Sequence, residues 1–514
     1  MSILTPVRNI TRLFTIARTL ARYDALWTLE EAGVASGLVA AARILAWRSA
    51  EGRPGERIAR ALQELGPSFI KLGQALSTRS DLLGEDVAAD LSELQDHLPP
   101  FSEEEARATI EKELGAPIGE LFKDFTGEPV AAASIAQVHF AVTSGGEDVA
   151  VKVLRPGIEK AFAKDIYLFR WIAALVERTC PEMRRLKPVE VIETFEETVR
   201  LEMDLRLEAA AAEEMAENFA EDPDFRVPEV DWRRTAKRVL TLERVNGIPV
   251  DEVDQLVAAG YDLDEVLTKA TKSFFYQVFR DGFFHADQHP GNLFIGKDGE
   301  LIAVDFGIMG RLERPTIRYF GEMLMSILKR DYRRVAEVHF EAGYVPAEKS
   351  VQAFTQACRS IAEPILDKPQ NEISIARLLA HLFQVTETFE METQPQLLLL
   401  QKTMLMAEGV GRKLRPDANM WILAEPLINQ WMDEYMGADA MVEEAVTEVT
   451  GGIRKLPRLF ADMEKNATAM ARGGMKLHPD TIKELYGENR GRRPVSTRIY
   501  WVIIAALIVV LLFI

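Results

Sequence analysis

Three polar residues near the middle of the chain have the types and spacing of a site for phosphate chemistry. Asp287 lies in the segment His-Ala-Asp-Gln-His-Pro-Gly-Asn, Asn292 ends that segment, and Asp305 opens the tripeptide Asp-Phe-Gly. A carboxylate at the first position can orient an attacking hydroxyl or water, while an Asn and a second carboxylate can hold Mg²⁺ against nucleotide phosphates. Asp-Phe-Gly alone would equally fit a turn after a strand. The two elements in this order favour Asp287 as the catalytic residue and Asn292 and Asp305 as metal ligands.

Short apolar segments around these residues predict the strands that would position them. The uncharged run 301–304, directly before Asp305, is typical of a buried strand that delivers this carboxylate to the site. Four earlier strand candidates are residues 122–130, 135–142, 149–154 and 239–245. Helical patterns cover residues 57–115, 158–220, 262–282 and 313–485. The sequence therefore predicts the α+β class, with a small strand-rich lobe followed by a large helical lobe.

Lys152 is the candidate for a phosphate-binding lysine. It ends the tetrapeptide Val-Ala-Val-Lys and resembles the lysine strand of protein kinases, where the ammonium contacts the α- and β-phosphates. The glycine-rich loop of those enzymes is missing, and an alanine-rich segment stands in its place: Ala131, Ala132, Ala133 and Ser134. Alanine lets the backbone come close but resists positive φ angles. This segment would therefore hold phosphates in a different way from the glycine-rich loop of a kinase, unless it is only a tight packing surface.

Two further departures argue against ordinary phosphorylation of proteins. The catalytic segment reads His-Ala-Asp, so it lacks the arginine that receives a phosphorylated activation loop in many kinases. In addition, no Ala-Pro-Glu follows Asp305. Both absences favour a substrate other than a protein.

Composition sets wider bounds. At 514 residues the chain is expected to hold two or three folding units, and its formal net charge is −18. This acidity argues against a nucleic-acid partner, because binding to nucleic-acid phosphates needs a basic field. The two cysteines, Cys180 and Cys358, provide neither a disulfide framework nor metal-ligand spacing.

Both ends of the chain favour contact with a membrane. Residues 499–514 contain no charged residue and would form a helix of roughly 24 Å, slightly short of a ~30 Å hydrocarbon core. Four arginines precede this stretch and predict a C-terminal membrane anchor with the rest of the protein on the cytoplasmic side. They are Arg490, Arg492, Arg493 and Arg498. Residues 1–50 begin with basic, helically spaced positions. A membrane-surface amphipathic helix, a transit peptide and a plain solvent-facing helix all fit that pattern.

Lys71 and Gln74 lie one helical turn apart, and by sequence alone such a polar pair is usually a solvated face. Together with the motifs above, however, this Lys-x-Gly-Gln motif makes the chain resemble the UbiB family of atypical kinases. That family also has an alanine-rich loop, a Glu-x-Asp motif (here Glu202 and Asp204), the loop His-x-Asp-x-His-Pro-Gly-Asn and the Asp-Phe-Gly. The resemblance covers roughly residues 55–400. Many bacterial members have two terminal hydrophobic segments where this chain has one, which leaves the membrane topology open.

The resemblance implies a two-lobed atypical protein-kinase-like fold with an N-terminal helical extension, a largely helical C-lobe and a C-terminal transmembrane helix. The expected divisions are N-terminal amphipathic helices (1–50), the Lys-x-Gly-Gln extension (51–118), an N-lobe (119–245), a C-lobe (246–400), a helical region (401–495) and the anchor (499–514). It also implies that the helix with Lys71 and Gln74 folds over the site as a regulatory lid together with Glu202 and Asp204. Lys71 would then pair with Glu202.

The same resemblance implies pairing of Lys152 with Glu208, and we expect the strand with Glu243 and Val245 at the adenine hinge. It implies an ATPase or atypical kinase that uses ATP and Mg²⁺ to support ubiquinone biosynthesis at the bacterial inner membrane. Expected partners are anionic lipids, polyprenylphenol or quinone precursors, and other proteins of ubiquinone biosynthesis. One alternative is a pseudokinase-like scaffold or regulator of that pathway. Less favoured is a 2-polyprenylphenol hydroxylase, because the chain has no dinucleotide fingerprint.

Overall fold

The computed structural model describes the chain continuously over residues 52–77, 99–179, 188–366 and 395–415. Further described residues are 12, 15, 16, 18–25, 87, 90, 91, 381, 382, 384–386, 388–391, 426–429 and 431. All of them belong to one compact unit, Met1–Glu434. Within the described residues, no helix is both long enough and apolar enough to cross a bilayer. The predicted anchor, 499–514, lies outside them.

In the part of the chain that the structure describes, four helices precede the first strand: α1 (Pro54–Leu65), α2 (Pro67–Ser77), α3 (Glu103–Leu114) and α4 (Ile118–Leu121). The start and end of α3 follow from its sequence. Ser102 accepts a hydrogen bond from the Glu105 N–H, and the Glu105 carboxylate returns to the Ser102 N–H, which satisfies two otherwise unpaired donors. At the other end Gly115 has a φ of 70°, a left-handed conformation that glycine adopts without strain.

The described residues between 122 and 243 form six strands: β1 (Phe122–Phe125), β2 (Ala131–Ala132), β3 (Ala136–Thr143), β4 (Asp148–Leu154), β5 (Phe225–Arg226) and β6 (Val239–Glu243). An antiparallel sheet has the order β1-β3-β4-β6, and β2 pairs with β3. Side chains of β3 and β4 alternate between more and less buried, as expected for strands of this sheet. Lys152 of β4 lies opposite Leu240 of β6, so the pairing register of this sheet fixes the position of Lys152 along the sheet.

Within residues 158–179 and 188–218, three helices connect this sheet to the rest of the chain: α5 (Ile158–Thr179), α6 (Pro188–Glu202) and α7 (Leu205–Asn218). They share a core with α2, in which the ring of Phe69 packs edge-on against Phe169 with centroids 5.0 Å apart. Phe69 and the neighbouring Ile70 are almost completely buried there. Burial of such side chains contributes about 1.5–3 kcal/mol each, so the extension is held mainly by apolar contact with the N-lobe.

The second lobe contains short strands and longer helices. Its strands are β7 (Ile248–Pro249), β8 (Phe283–His285), β9 (Leu293–Ile295), β10 (Leu301–Ala303) and β11 (Met309–Arg311). One sheet has the order β5-β10-β9-β7, with β5 parallel to β10, and β8 pairs with β11. Its helices are α8 (Val253–Ala258), α9 (Leu263–Phe275), α10 (Arg314–Leu328), α11 (Tyr332–Glu341), α12 (Val351–Leu366) and α13 (Pro395–Leu414).

The strands predicted at 135–142, 149–154 and 301–304 are present within a residue or two. The candidates at 122–130 and 239–245 are shorter than predicted and end at Phe125 and Glu243. The expected boundary at residue 245 is not clean, because β5 lies before it and pairs with β10 of the second lobe. The expected boundary at residue 400 falls inside α13, which packs into the C-lobe core through Leu400, Val410 and Leu414.

Two arginines of the basic N-terminal segment contact the protein itself. Arg12 donates to both carboxylate oxygens of Asp165 on α5, at 3.0 and 2.9 Å, and lies over the Phe69 ring. Arg22 forms an ion pair with Glu64 of α1. At these two positions the basic face predicted for residues 1–50 therefore lies against the N-terminal extension and the N-lobe.

Candidate active site

The catalytic segment begins where β8 ends, and His285 orders its backbone. Asp287 N–H donates to His285 Nδ1 at 3.2 Å, and His285 Nε2 lies 3.0 Å from the Val304 carbonyl oxygen. These partners require a neutral imidazole with its hydrogen on Nε2. The His285 N–H donates to the buried Gln277 side chain at 2.9 Å, from a π-helical turn that follows α9. This network holds the loop that carries Asp287 against the strand that precedes Asp305.

Asp287 and Asn292 contact each other directly. Asn292 Nδ2 donates to the Asp287 carbonyl oxygen at 3.0 Å and lies 3.4 Å from its carboxylate oxygen Oδ2. The other carboxylate oxygen, Oδ1, lies 3.6 Å from Lys402 Nζ of α13. About a third of the Asp287 side chain is exposed (32%), so an incoming hydroxyl or water can reach it.

Asp305 follows β10 in a left-handed backbone conformation, with a φ of +61°. Few residues other than glycine adopt this region, and such strain is concentrated at functional sites. The N–H of Val304 donates to the Asn292 carbonyl oxygen at 2.9 Å, which ties the two predicted metal ligands together through the backbone.

Lys152 connects Asp305 to α7. Its Nζ lies 2.7 Å from Glu208 Oε1 and 2.8 Å from Asp305 Oδ1. Burial raises the pKa of the Glu208 carboxyl to about 7, since the nearby charge of Lys152 only partly offsets the cost of desolvation. Desolvation acts in the same direction on Asp305, but there the Lys152 ammonium outweighs it and holds the pKa of the Asp305 carboxyl below its usual range. About half of the Asp305 side chain is exposed (49%) and open to a metal ion.

The lid residues lie on the same side of the site. Lys71 Nζ of α2 is 3.1 Å from Glu202 Oε2 at the end of α6, and close enough for its charge to act on Asp305. Gln74 lies one turn later on α2 and is half-buried. Asp204 has a different place: its carboxylate caps the N-terminus of α7 through the Arg206 N–H and forms an ion pair with the Arg206 guanidinium. It therefore positions the helix that carries Glu208.

The alanine-rich segment forms β2 and the start of the turn that leads to β3. Ala131 and Ala132 pair with β3, and the Ala133 carbonyl oxygen accepts two hydrogen bonds from Arg155, at 3.1 and 3.0 Å. Ser134 is completely buried, and its hydroxyl oxygen has no hydrogen-bond partner. A buried hydroxyl without a partner is costly, and a phosphate oxygen is one group that could satisfy it.

The predicted hinge contacts the second lobe. The Glu243 carboxylate accepts two hydrogen bonds from Arg226 Nη1, at 2.9 and 2.7 Å, which links β6 to β5. The Glu243 N–H is bonded to the Glu229 carbonyl oxygen at 2.8 Å. Val245 lies two residues after the end of β6 and is half-buried. Glu243 is therefore engaged within the protein through both its N–H and its carboxylate.

These residues fit MgATP. Asp305 and Asn292 supply the hard oxygen atoms that Mg²⁺ prefers, and Lys152 supplies a cation beside them. Among the described residues, no group of three or more His, Cys, Asp or Glu could hold a metal ion by itself. Mg²⁺ in nucleotide sites is commonly held by one or two carboxylates together with the substrate phosphates, so the donors present suit that mode.

Comparisons with known proteins show to which family the chain belongs. Residues 93–339 match the ABC1 atypical kinase-like domain, and residues 358–419 match the UbiB helical domain. The chain is 45% identical to a probable protein kinase UbiB of Marinobacter nauticus, over 79% of this chain and 75% of that protein. This chain belongs to the UbiB family. A probable protein kinase UbiB of Azotobacter vinelandii is 44% identical, over 82% of this chain and 80% of that protein. One of Pseudomonas entomophila is 42% identical, over 89% of this chain and 86% of that protein.

A solved structure extends the likeness to the fold. The complex of Rv3197 with erythromycin from Mycobacterium tuberculosis is 27% identical and covers 71% of this chain and 93% of its own, with a TM-score of 0.50. The ABC1 match includes the alanine-rich segment, Lys152, Glu208, the catalytic loop and Asp305. Lys71 and Gln74 precede it, and α13 lies in the helical-domain match.

Sequence reasoning missed several residues that shape this site. Arg155 follows Lys152 closely and could have been noticed as a cation beside the alanine-rich segment. Gln277 and Thr403 act through hydrogen bonds to the catalytic segment that their own local sequences do not indicate. Gln277 does so from the π-helical turn just before β8, and Thr403 from α13, 117 residues away from its partner. Lys402 is missed for the same reason, since only the docking of α13 brings it to Asp287.

Proposed function

We propose that this protein is a membrane-anchored atypical kinase or ATPase that supports ubiquinone biosynthesis. Turnover of MgATP would assist the handling of polyprenylphenol intermediates or of the biosynthetic complex. The observation that carries the proposal is the contact of one lysine with two carboxylates: Lys152 with Glu208 at 2.7 Å and with Asp305 at 2.8 Å. That arrangement places a phosphate-binding cation beside a metal ligand.

In this proposal the substrate ATP lies between the two lobes. Lys152 contacts its α- and β-phosphates while Glu208 orients the lysine, and Ser134 lies beside the phosphates in the alanine-rich segment. Asn292 and Asp305 would hold Mg²⁺, which neutralises phosphate charge when bound. Asp287 orients the attacking water or small hydroxyl. Val245 and the strand that ends at Glu243 border the adenine.

The position of α2 supports a small or membrane-borne substrate over a protein. Lys71 pairs with Glu202 at 3.1 Å, so the helix lies where a docked protein segment would need access. Anchoring rests on the sequence: the uncharged stretch 499–514 follows four arginines, which suits a single-pass anchor in the bacterial inner membrane with the catalytic body in the cytoplasm. Anionic lipids, quinone precursors and other ubiquinone-biosynthesis proteins are the proposed partners.

One observation favours a scaffold or regulator as the second candidate. The Lys152 ammonium contacts Asp305 directly, so this metal ligand has to exchange one cation for another before Mg²⁺ can bind. A protein that only changes conformation on nucleotide binding could keep such a contact. Turnover separates the two candidates.

The test is phosphate release from MgATP by the full-length protein, with and without vesicles of anionic phospholipid and a quinone-like phenol. We expect turnover that rises when vesicles and phenol are both present, with little phosphate transfer to added protein. Nucleotide binding with no turnover in any combination would favour the scaffold. Flavin absorbance in the purified protein would favour the hydroxylase instead.

A further inference from the structure

The catalytic loop of this protein lacks a cation of its own. Between Asp287 and Asn292 the residues are Gln, His, Pro and Gly, and the residue before Asp287 is Ala286. The histidine, His289, accepts the Gly291 N–H on its Nδ1 at 3.1 Å and so caps the short helical turn at Asn292. A positive charge for the transferred phosphoryl group therefore has to come from another element.

Helix α13 supplies one. Lys402 Nζ lies 3.6 Å from Asp287 Oδ1, and about a third of each side chain is exposed, 30% and 32%. Both groups therefore lie at an open surface that a substrate can reach.

The position of α13 relative to the catalytic loop is fixed by packing. Thr403 is completely buried, and its hydroxyl lies 3.4 Å from the Ala286 carbonyl oxygen. Leu400 is buried in the same core as Phe284 and Ala286. Since these residues flank Lys402 on α13 and Asp287 on the loop, the lysine is held beside the carboxylate by contacts that do not involve its own charge.

Lys402 differs from the other two lysines of the site. Lys152 is held between Glu208 and Asp305, and Lys71 faces Glu202 with both side chains nearly buried, 11% and 12% exposed. Withdrawal of either would leave a carboxylate without a cation in a shielded place. The contact of Lys402 is longer and more exposed, so its ammonium can turn to a phosphate oxygen at little cost.

We propose that Lys402 is a catalytic residue that contacts the γ-phosphoryl group of ATP. The inference rests on the proposed function. The bond between the γ-phosphorus and the bridging oxygen of ADP breaks, and its electron pair leaves with ADP. A bond forms between the γ-phosphorus and the attacking oxygen, whose proton passes to Asp287. Lys402 donates a hydrogen bond to a γ-phosphoryl oxygen and neutralises charge that is exposed as the bond to ADP breaks.

One consequence concerns the helical domain. Lys402 lies within residues 358–419, the match to the UbiB helical domain, whereas Asp287 lies in the kinase-like domain. The helical domain then completes the active site by contributing a side chain that touches the substrate.

The experiment compares Lys402→Met, Lys402→Arg and Lys413→Met in the full-length protein. Lys413 is the matched control, because it lies on the same helix and pairs with Asp251 at 3.1 Å. Steady-state phosphate release gives kcat, and competition with a fluorescent nucleotide gives Kd for MgADP and for MgATP under conditions without turnover. Thermal unfolding checks that each variant is folded.

For Lys402→Met we expect kcat to fall about 100-fold, the size typical for loss of one charge-stabilising donor, with Kd for MgADP within about twofold of wild type. Its preference for MgATP over MgADP should fall about tenfold, Lys402→Arg should recover part of kcat, and Lys413→Met should match wild type. Unchanged kcat and nucleotide preference in Lys402→Met, or equal weakening of MgADP and MgATP, would overturn the assignment. If wild type binds MgATP without turnover, the proposed function fails while the ratio of affinities still tests Lys402.

Discussion

Replacement of Lys71 by Met should loosen the lid helix α2 without unfolding the protein. The ammonium of Lys71 and the carboxylate of Glu202 are 3.1 Å apart, with 11% and 12% of the side chains exposed. Removal of one partner of a fully buried pair costs about 3–5 kcal/mol, and removal from an exposed pair costs about 0–1 kcal/mol. A pair that is nearly but not completely buried should lie between these limits, at about 2 kcal/mol. Phe69 and Ile70 stay buried, so the helix keeps its apolar anchor.

Native-state hydrogen exchange of the α2 amides measures this cost directly. A loss of about 2 kcal/mol raises the opening equilibrium roughly 30-fold, since every 1.4 kcal/mol is a factor of ten. The assay should be run as a double-mutant cycle with Glu202→Gln and with both changes together. Because the double variant leaves no unpaired charge, its loss should be smaller than the sum of the single losses by about 1–2 kcal/mol. Arg333→Met is the control, since its pair with Glu337 is largely exposed (80% and 36%) and distant in sequence from the lid.

If the loss in the double variant equals the sum of the two single losses within about 0.5 kcal/mol, the coupling between Lys71 and Glu202 is refuted, because independent sites show such additivity. Equally fast exchange of the α2 amides in wild type and Lys71→Met would refute it as well. Either result would mean that packing alone holds α2, and that Lys71 does not restrain access to the site.

Three further variants test the site. Asp305→Ala should be about 1 kcal/mol less stable than Asp305→Asn in chemical denaturation, because residue 305 has a φ of +61° and asparagine tolerates that region; equal stability would contradict the strain. Lys152→Met should lose about 3 kcal/mol of unfolding free energy, the lower end for a buried pair because Asp305 is half exposed, and should also lose MgATP binding. The control Lys349→Met breaks a pair with the exposed Glu390 and should change neither stability nor binding. MgATP binding that survives in Lys152→Met would argue against a phosphate-binding role of Lys152. Asp204→Ala should cost about 1 kcal/mol through loss of the α7 cap, with Asp204→Asn retaining most of the stability; no loss in the alanine variant would show that the cap is unimportant.

The sequence predicted those parts of the fold whose signals are local. β3 and β4 are long enough for alternating burial to appear in the pattern, and the catalytic and metal motifs are contiguous. The missed strands β2, β5, β7, β8, β9 and β11 have two or three residues each, too few to show a period. Their pairing depends on partners elsewhere in the chain, as in the parallel contact of β5 with β10.

The same division holds for the site. The pairs Lys152–Glu208 and Lys71–Glu202 were implied by motifs and are present in the structure. The resemblance places Asp204 in the lid; in the structure its carboxylate caps α7, a role that depends on where that helix begins. Lys402 could not be found from sequence, because a lysine in an amphipathic helix is ordinarily solvated and only tertiary packing brings it to Asp287.

Phosphate release from MgATP by wild type and Asp305→Asn tests the central claim most directly. Asparagine removes the charged metal ligand, suits the left-handed backbone at this position and leaves Lys152 paired with Glu208, so the variant should stay folded. We predict turnover in wild type and a loss of at least about 100-fold in Asp305→Asn, with its unfolding temperature within a few degrees of wild type. Equal turnover in the two proteins would contradict the assignment of Asp305, and with it the account of this site as a centre for MgATP chemistry.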